Sequence, residues 1–124
     1  MLKMAIARIK QLSAHEVGHT IGFAHNFAAS TNNRSSVMDY PHPNLSLESD
    51  EIKFDKAYEV GIGSWDKVSV GYAYSDFPEG TDEKGALNSI LEESVKEGHR
   101  FISDSDARPI GGAHPKAQLW DNGS

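Results

Sequence analysis

The stretch His15-Glu16-Val17-Gly18-His19-Thr20-Ile21-Gly22-Phe23-Ala24-His25 constrains this chain more than any other part of it. Residues four apart share one face of an α-helix, so a helix through this stretch turns the rings of His15 and His19 toward one point. Glu16, next to His15, reaches water at that same point. Gly22 can take the positive φ that residues with a Cβ avoid. The chain then turns, and His25 brings a third ring nitrogen to the pair. Three protein nitrogens leave the fourth position of a tetrahedral zinc ion open to water, as a catalytic site requires. The 124 residues include no cysteine, so no thiolate is present to close the site as a structural one. The pattern therefore predicts Zn2+ on His15, His19 and His25, with Glu16 as general base. The competing reading is a helix with solvated histidines or a structural metal. Two histidines around a glutamate arise by chance fairly often, but the added glycine and third histidine are a tighter test.

The rest of the chain reads as mainly α. Leu2, Ile6, Ile9 and Leu12, continued by Glu16 and His19, recur at helical spacing, which predicts one helix over 2–22 with that stripe inward. Residues 26–50 are rich in turn formers (Asn32-Asn33, Ser35-Ser36, Pro41, Pro43, Asn44) and read as loop. Residues 51–60 fit neither period, and nothing makes a convincing multi-stranded sheet. After the break at Gly61-Ile62-Gly63, Ser64 suits an N-cap and Asp66 the first turn of a helix to about Tyr74, with Trp65, Val68 and Tyr72 on one face. A further helix spans Lys84 to Gly98, with Leu87, Ile90, Leu91 and Val95 inward. The tail from Ser103 reads as irregular. The expected layout is one partial domain: 1–25 the site helix and third ligand, 26–63 a long loop, 64–102 a helical subdomain, 103–124 the tail.

Charge narrows the function classes. The net charge is −6 without a long basic run, which argues against nucleic-acid binding. No stretch is long and apolar enough to span a membrane. The first ten residues carry Lys3, Arg8 and Lys10 in their apolar run and do not form a signal peptide.

Taken together, these residues resemble the metzincin clan of zinc endopeptidases, which pairs the three-histidine signature with a downstream turn containing methionine. Here that turn is Ser36-Val37-Met38-Asp39-Tyr40, in the form found in astacins and serralysins. The resemblance implies that Met38 lies beneath the histidine rings, and that Tyr40 is a fifth ligand or a donor to the transition-state oxyanion. The residue after the third histidine is Asn26, unlike the Glu of astacins, the Pro of serralysins or the Asp of adamalysins. The chain is more similar to a bacterial group of large zinc-dependent metalloproteases, through Arg8–Thr20, Ala24–Ser30, Ser36–Pro41, Trp65–Lys67, Asp106–Pro109 and Leu119–Gly123. This likeness implies a peptide or protein substrate and a secreted or cell-envelope parent protein. Metzincins place a mixed sheet before the active-site helix, and its edge strand binds substrate. Only fourteen residues precede His15, so that sheet is expected to lie outside this chain. An apolar face exposed where the sheet belongs would favour self-association.

Other residues read more plainly. Thr20 and Asn26 suit either hydrogen bonds that orient the histidines or a plain surface position. His42, His99 and His114 lack partners at metal spacing and read as surface or packing histidines. Asp39 suits a backbone bond within its turn, Trp65 and Tyr72 suit the core of their helix, and Glu48, Asp50, Glu51 and Asp55 suit a solvated acidic face. Two alternatives to a peptidase stay open: a zinc-binding scaffold without hydrolytic activity, and a zinc hydrolase acting on something other than peptides.

Overall fold

The computed structural model describes residues 1–107 and 114, which form a mainly helical chain. Helix α1 spans Leu2–Thr20, a 3-10 turn spans Ala29–Thr31, and strands β1 (Ser46–Glu48) and β2 (Glu51–Lys53) form a hairpin. Helices α2 (Ser64–Tyr74), α3 (Glu83–Lys96) and the single turn α4 (Asp104–Ala107) follow. The expected tail is described only to residue 107 and at His114; the motif at Leu119–Gly123 lies outside the described residues.

Helix α1 ends as its sequence predicts. Gly22 has φ +98°. The Phe23 N–H donates to the Gly18 carbonyl at 3.0 Å and the Gly22 N–H to that of His19 at 3.1 Å. This pair of bonds is the Schellman closure, in which a left-handed residue satisfies the last carbonyls and turns the chain away from the helix axis. The inward stripe, however, is not the expected one. Leu2 is 74% exposed and Ile9 63%, whereas Gln11, His15 and Gly18 are buried. The period was right and the phase wrong, because polar contacts set the docking. Gln11 Nε2 donates to the carbonyls of Val37 (3.2 Å) and Asp39 (3.4 Å), and Gln11 Oε1 accepts from Arg8.

The segment expected to be loop holds much of the buried core. Phe27, Ala28, Ala29, Val37 and Met38 are buried within it, joined by Ala57, Ile102 and Ala107 from later in the chain. Buried loop backbone needs partners, and carboxylates supply several. Asp39 accepts from the Ser30 N–H at 2.8 Å and the Tyr40 N–H at 2.7 Å, the turn role foreseen for it. Asp66, buried in the first turn of α2, accepts from the Val37 N–H (2.9 Å), the Gly63 N–H (2.6 Å) and the Ser36 hydroxyl (2.5 Å). One side chain thereby caps α2, whose N-cap is Gly63 rather than Ser64, and ties it to the methionine-bearing turn.

A short two-stranded hairpin stands where 26–50 reads as loop and 51–60 fits neither period, and no larger sheet forms among the described residues. Leu47 pairs with Ile52 and Glu48 with Glu51 across Ser49-Asp50, both at positive φ (51° and 64°). That is the geometry of a tight two-residue hairpin turn, formed here without the Asn-Gly or Asp-Gly pair that would have announced it. Helices α2 and α3 pack together, but the stripe expected on α3 is only partly inward: Ser94 is buried while Val95 is 61% exposed. Tyr72 is also exposed, whereas Trp65 stacks on Phe101.

Removing the Asp66 carboxylate leaves two backbone N–H groups and a hydroxyl unpaired. Asp66→Ala should lower stability by about 3 kcal/mol in urea denaturation, and a loss below about 1 kcal/mol would show that the tie is dispensable.

Candidate metal centre

The three predicted ligands converge. His15 and His19 lie one turn apart on α1, and the glycine-closed end of that helix returns the chain so that His25 reaches them. His19 Nε2 is 3.0 Å from His15 Nε2 and 3.2 Å from His25 Nε2. Tetrahedral zinc with Zn–N bonds of about 2.05 Å holds its nitrogens about 3.3 Å apart, so both pairs that His19 makes are close to that spacing, and all three ligand atoms lie within 4.8 Å of one another. His15 is buried; His19 and His25 are half-buried.

The other ring nitrogens decide which atoms carry protons. His15 Nδ1 lies 2.6 Å from the Val37 carbonyl, His19 Nδ1 2.8 Å from the Phe23 carbonyl, and His25 Nδ1 2.9 Å from Asp104 Oδ2. Carbonyl and carboxylate oxygens only accept, so in each neutral ring the proton sits on Nδ1 and donates outward. Every Nε2 then presents a lone pair to the other two. These close Nε2 pairs cannot be hydrogen bonds in that state. They need a cation between them, and neutral imidazole is the form that binds one. The donor set therefore fits zinc.

Burial holds the His15 imidazole below its ordinary 6.5; its bond to the Val37 carbonyl and the nearby Glu16 oppose this, while His19 and His25 reinforce it. Burial likewise raises the Asp39 carboxyl above its ordinary range, against the bonds from Ser30 and Tyr40.

Around the cluster, Tyr40 places its hydroxyl 3.2 Å from His25 Nε2, and its ring is centred 4.6 Å from that of His15. Met38 is buried with its sulfur against Gly18, so close that a Cβ at Gly18 would collide with it. That contact gives the glycine inside the histidine signature a reason. Glu16 is exposed and has no hydrogen-bond or ion-pair partner among the described residues.

Neither Thr20 nor Asn26 bonds a histidine ring, and of the two only Thr20 is at the surface. The Thr20 hydroxyl donates to Val17 O within its own helix. Asn26 is fully buried, but its carboxamide bonds Arg100 O, the Ala28 N–H and the Ile102 N–H rather than a histidine. The real partners of the rings are two backbone carbonyls, which residue type cannot reveal, and Asp104, which no spacing rule links to His25. His99 is a packing histidine, as expected: it is buried between the hydroxyls of Ser64 (2.8 Å) and Ser94 (2.9 Å). His42 and His114 are exposed.

A helix bearing two histidines, a glycine turn delivering a third, and a buried methionine against that helix define the metal centre of metzincin-type zinc peptidases. The Met-zincin family model matches residues 1–124, and the chain belongs to that family. No curated protein and no solved structure is significantly similar to it.

Two outcomes follow. Gly18→Ala pushes against Met38 and should cost about 1–3 kcal/mol in chemical denaturation; no loss would mean that the sulfur has room to move. For His15 the native ring gives up its proton at lower pH than the unfolded chain, so between those values the unfolded chain binds the extra proton. The contribution is intact above 6.5 and is lost as pH falls below it. The urea midpoint of metal-free protein should fall on acidification through this range, and less steeply in His15→Asn; equal slopes would contradict the assignment.

Proposed function

We propose that this chain carries the catalytic region of a zinc-dependent peptidase, with His15, His19 and His25 as ligands and Glu16 as general base. The observation that carries this is the meeting of three ring nitrogens within 4.8 Å of one another, His19 Nε2 lying 3.0 Å from that of His15 and 3.2 Å from that of His25, each ring turned by an acceptor on its Nδ1. Zinc, when bound, supplies Lewis-acid chemistry, activating water and polarising the scissile carbonyl. Glu16 takes the proton of the attacking water and passes it to the leaving amine. Its exposure suits a base that must meet water and substrate. Tyr40, with its hydroxyl beside His25 Nε2, donates to the oxyanion that forms as the carbonyl is attacked. The peptide is the substrate class that family membership supports. No helix among the described residues is long and apolar enough to cross a membrane.

Metal analysis and calorimetry on wild type and His19→Ala come first. One zinc per chain, lost in the variant, is the expected result. Glu16→Ala should keep the zinc and lose cleavage of a quenched-fluorescent peptide panel by roughly 100-fold or more. A zinc-loaded wild type that cleaves nothing would favour the scaffold reading, and cleavage that survives Glu16→Ala would remove Glu16 from its role.

A further inference from the structure

The structure assigns Asp104 to the metal centre as the positioning residue of His25, with Asn26 seating the segment that carries it. This rests on the zinc reading above.

The three rings are not held alike. His15 and His19 donate to backbone carbonyls, one in the methionine-bearing turn and one at the closed end of α1. His25 lies beyond the helix, and the acceptor on its Nδ1 is the Asp104 carboxylate. Its ring also stacks on Phe27, with centroids 5.0 Å apart, and its Nε2 lies 3.2 Å from the Tyr40 hydroxyl, but neither contact reaches Nδ1. The carboxylate fixes the proton on Nδ1 and so leaves the Nε2 lone pair facing the other two rings. It also makes Nε2 a stronger donor to a cation, the role that carboxylates play behind zinc-bound histidines.

Asp104 stands 79 positions after His25 and is half exposed, so something must place it. The chain is pinned on both sides of it. Before it, Asn26 Nδ2 donates to Arg100 O at 2.9 Å, and the Phe27 N–H donates to Ile102 O at 2.8 Å. The Ile102 N–H returns to Asn26 Oδ1 at 3.3 Å. After it, Ala107 is fully buried against Phe27. The two residues that follow His25 thus grip the segment whose carboxylate turns back onto His25. This gives buried Asn26 a function that its sequence position alone did not reveal.

A half-exposed polar contact adds little to stability, so a merely structural Asp104 would barely affect metal binding. A positioning Asp104 would matter. Zinc affinity, measured by competition with a chromophoric chelator, should fall roughly 10–100-fold in Asp104→Ala. Asp104→Asn, which keeps an acceptor but loses the charge, should lose less. In a His25→Ala background, Asp104→Ala should cause no further loss, and the cobalt-substituted protein should show altered visible bands in Asp104→Ala alone. Affinity within about twofold of wild type in Asp104→Ala, or an equal loss when His25 is absent, would overturn the assignment. A metal-free readout separates this from failure of the zinc reading. The 15N shifts of the His25 ring should report the proton on Nδ1 in wild type and its redistribution toward Nε2 in Asp104→Ala. A wild-type ring protonated on Nε2 would overturn the role of Asp104 whether or not zinc binds.

Discussion

Three imidazole lone pairs turned toward one point repel one another, and much of what is specific in this fold keeps them so turned. Each ring is held from behind by an oxygen from a different piece of chain: Val37 in the turn, Phe23 at the end of α1, Asp104 in the last turn of helix. None of these oxygens is in place unless its own segment is folded. A cation would convert the repulsion into three bonds, so metal binding and folding share one free energy. The site is a strained point in the metal-free protein and an anchor in the loaded one.

The means of holding it is unusual for so small a chain. The buried core follows an irregular segment, and side chains capable of several hydrogen bonds set its shape. Gln11 joins that segment to α1, Asp66 joins it to α2, and Asn26 joins it to the chain before α4. No buried side-chain nitrogen or oxygen among the described residues lacks a partner. Networks of this kind specify one arrangement strongly when complete and fail sharply when one member is removed. That suits a site in which a small displacement would separate the three nitrogens.

The histidine cluster was legible because its geometry is local. His15 and His19 need only a helix, and Gly22 needs only its freedom from a Cβ, so spacing alone places all three. The methionine and tyrosine of the turn were legible by resemblance, and Tyr40 does stand beside His25. What could not be read was whatever depends on pairing between distant segments. The phase of α1 followed Gln11 and the loop carbonyls rather than its leucine and isoleucines. Asn26 read as an orienting or a surface residue, and it is neither: it is buried and holds the Arg100–Ile102 backbone. Asp104 sat in a stretch read as irregular, and the Ser49-Asp50 hairpin lacked the residues that usually declare such a turn. In each case a tertiary hydrogen bond or turn outweighed the local pattern.

The separation of His25 from its carboxylate also bears on the order in which the chain folds. His15 and His19 stand together as soon as one turn of α1 exists, an event of about a microsecond in an isolated helix. The bond from His25 to Asp104 joins residues 79 positions apart, with α2 and α3 between them in the chain, and so carries a larger loop-closure cost. The local turn at Gly22 can bring up the third nitrogen, but its direction is fixed only when the Asp104 segment has docked. On the zinc reading, tight metal capture would then serve as a proofreading signal, reporting that the far end of the chain has reached its place.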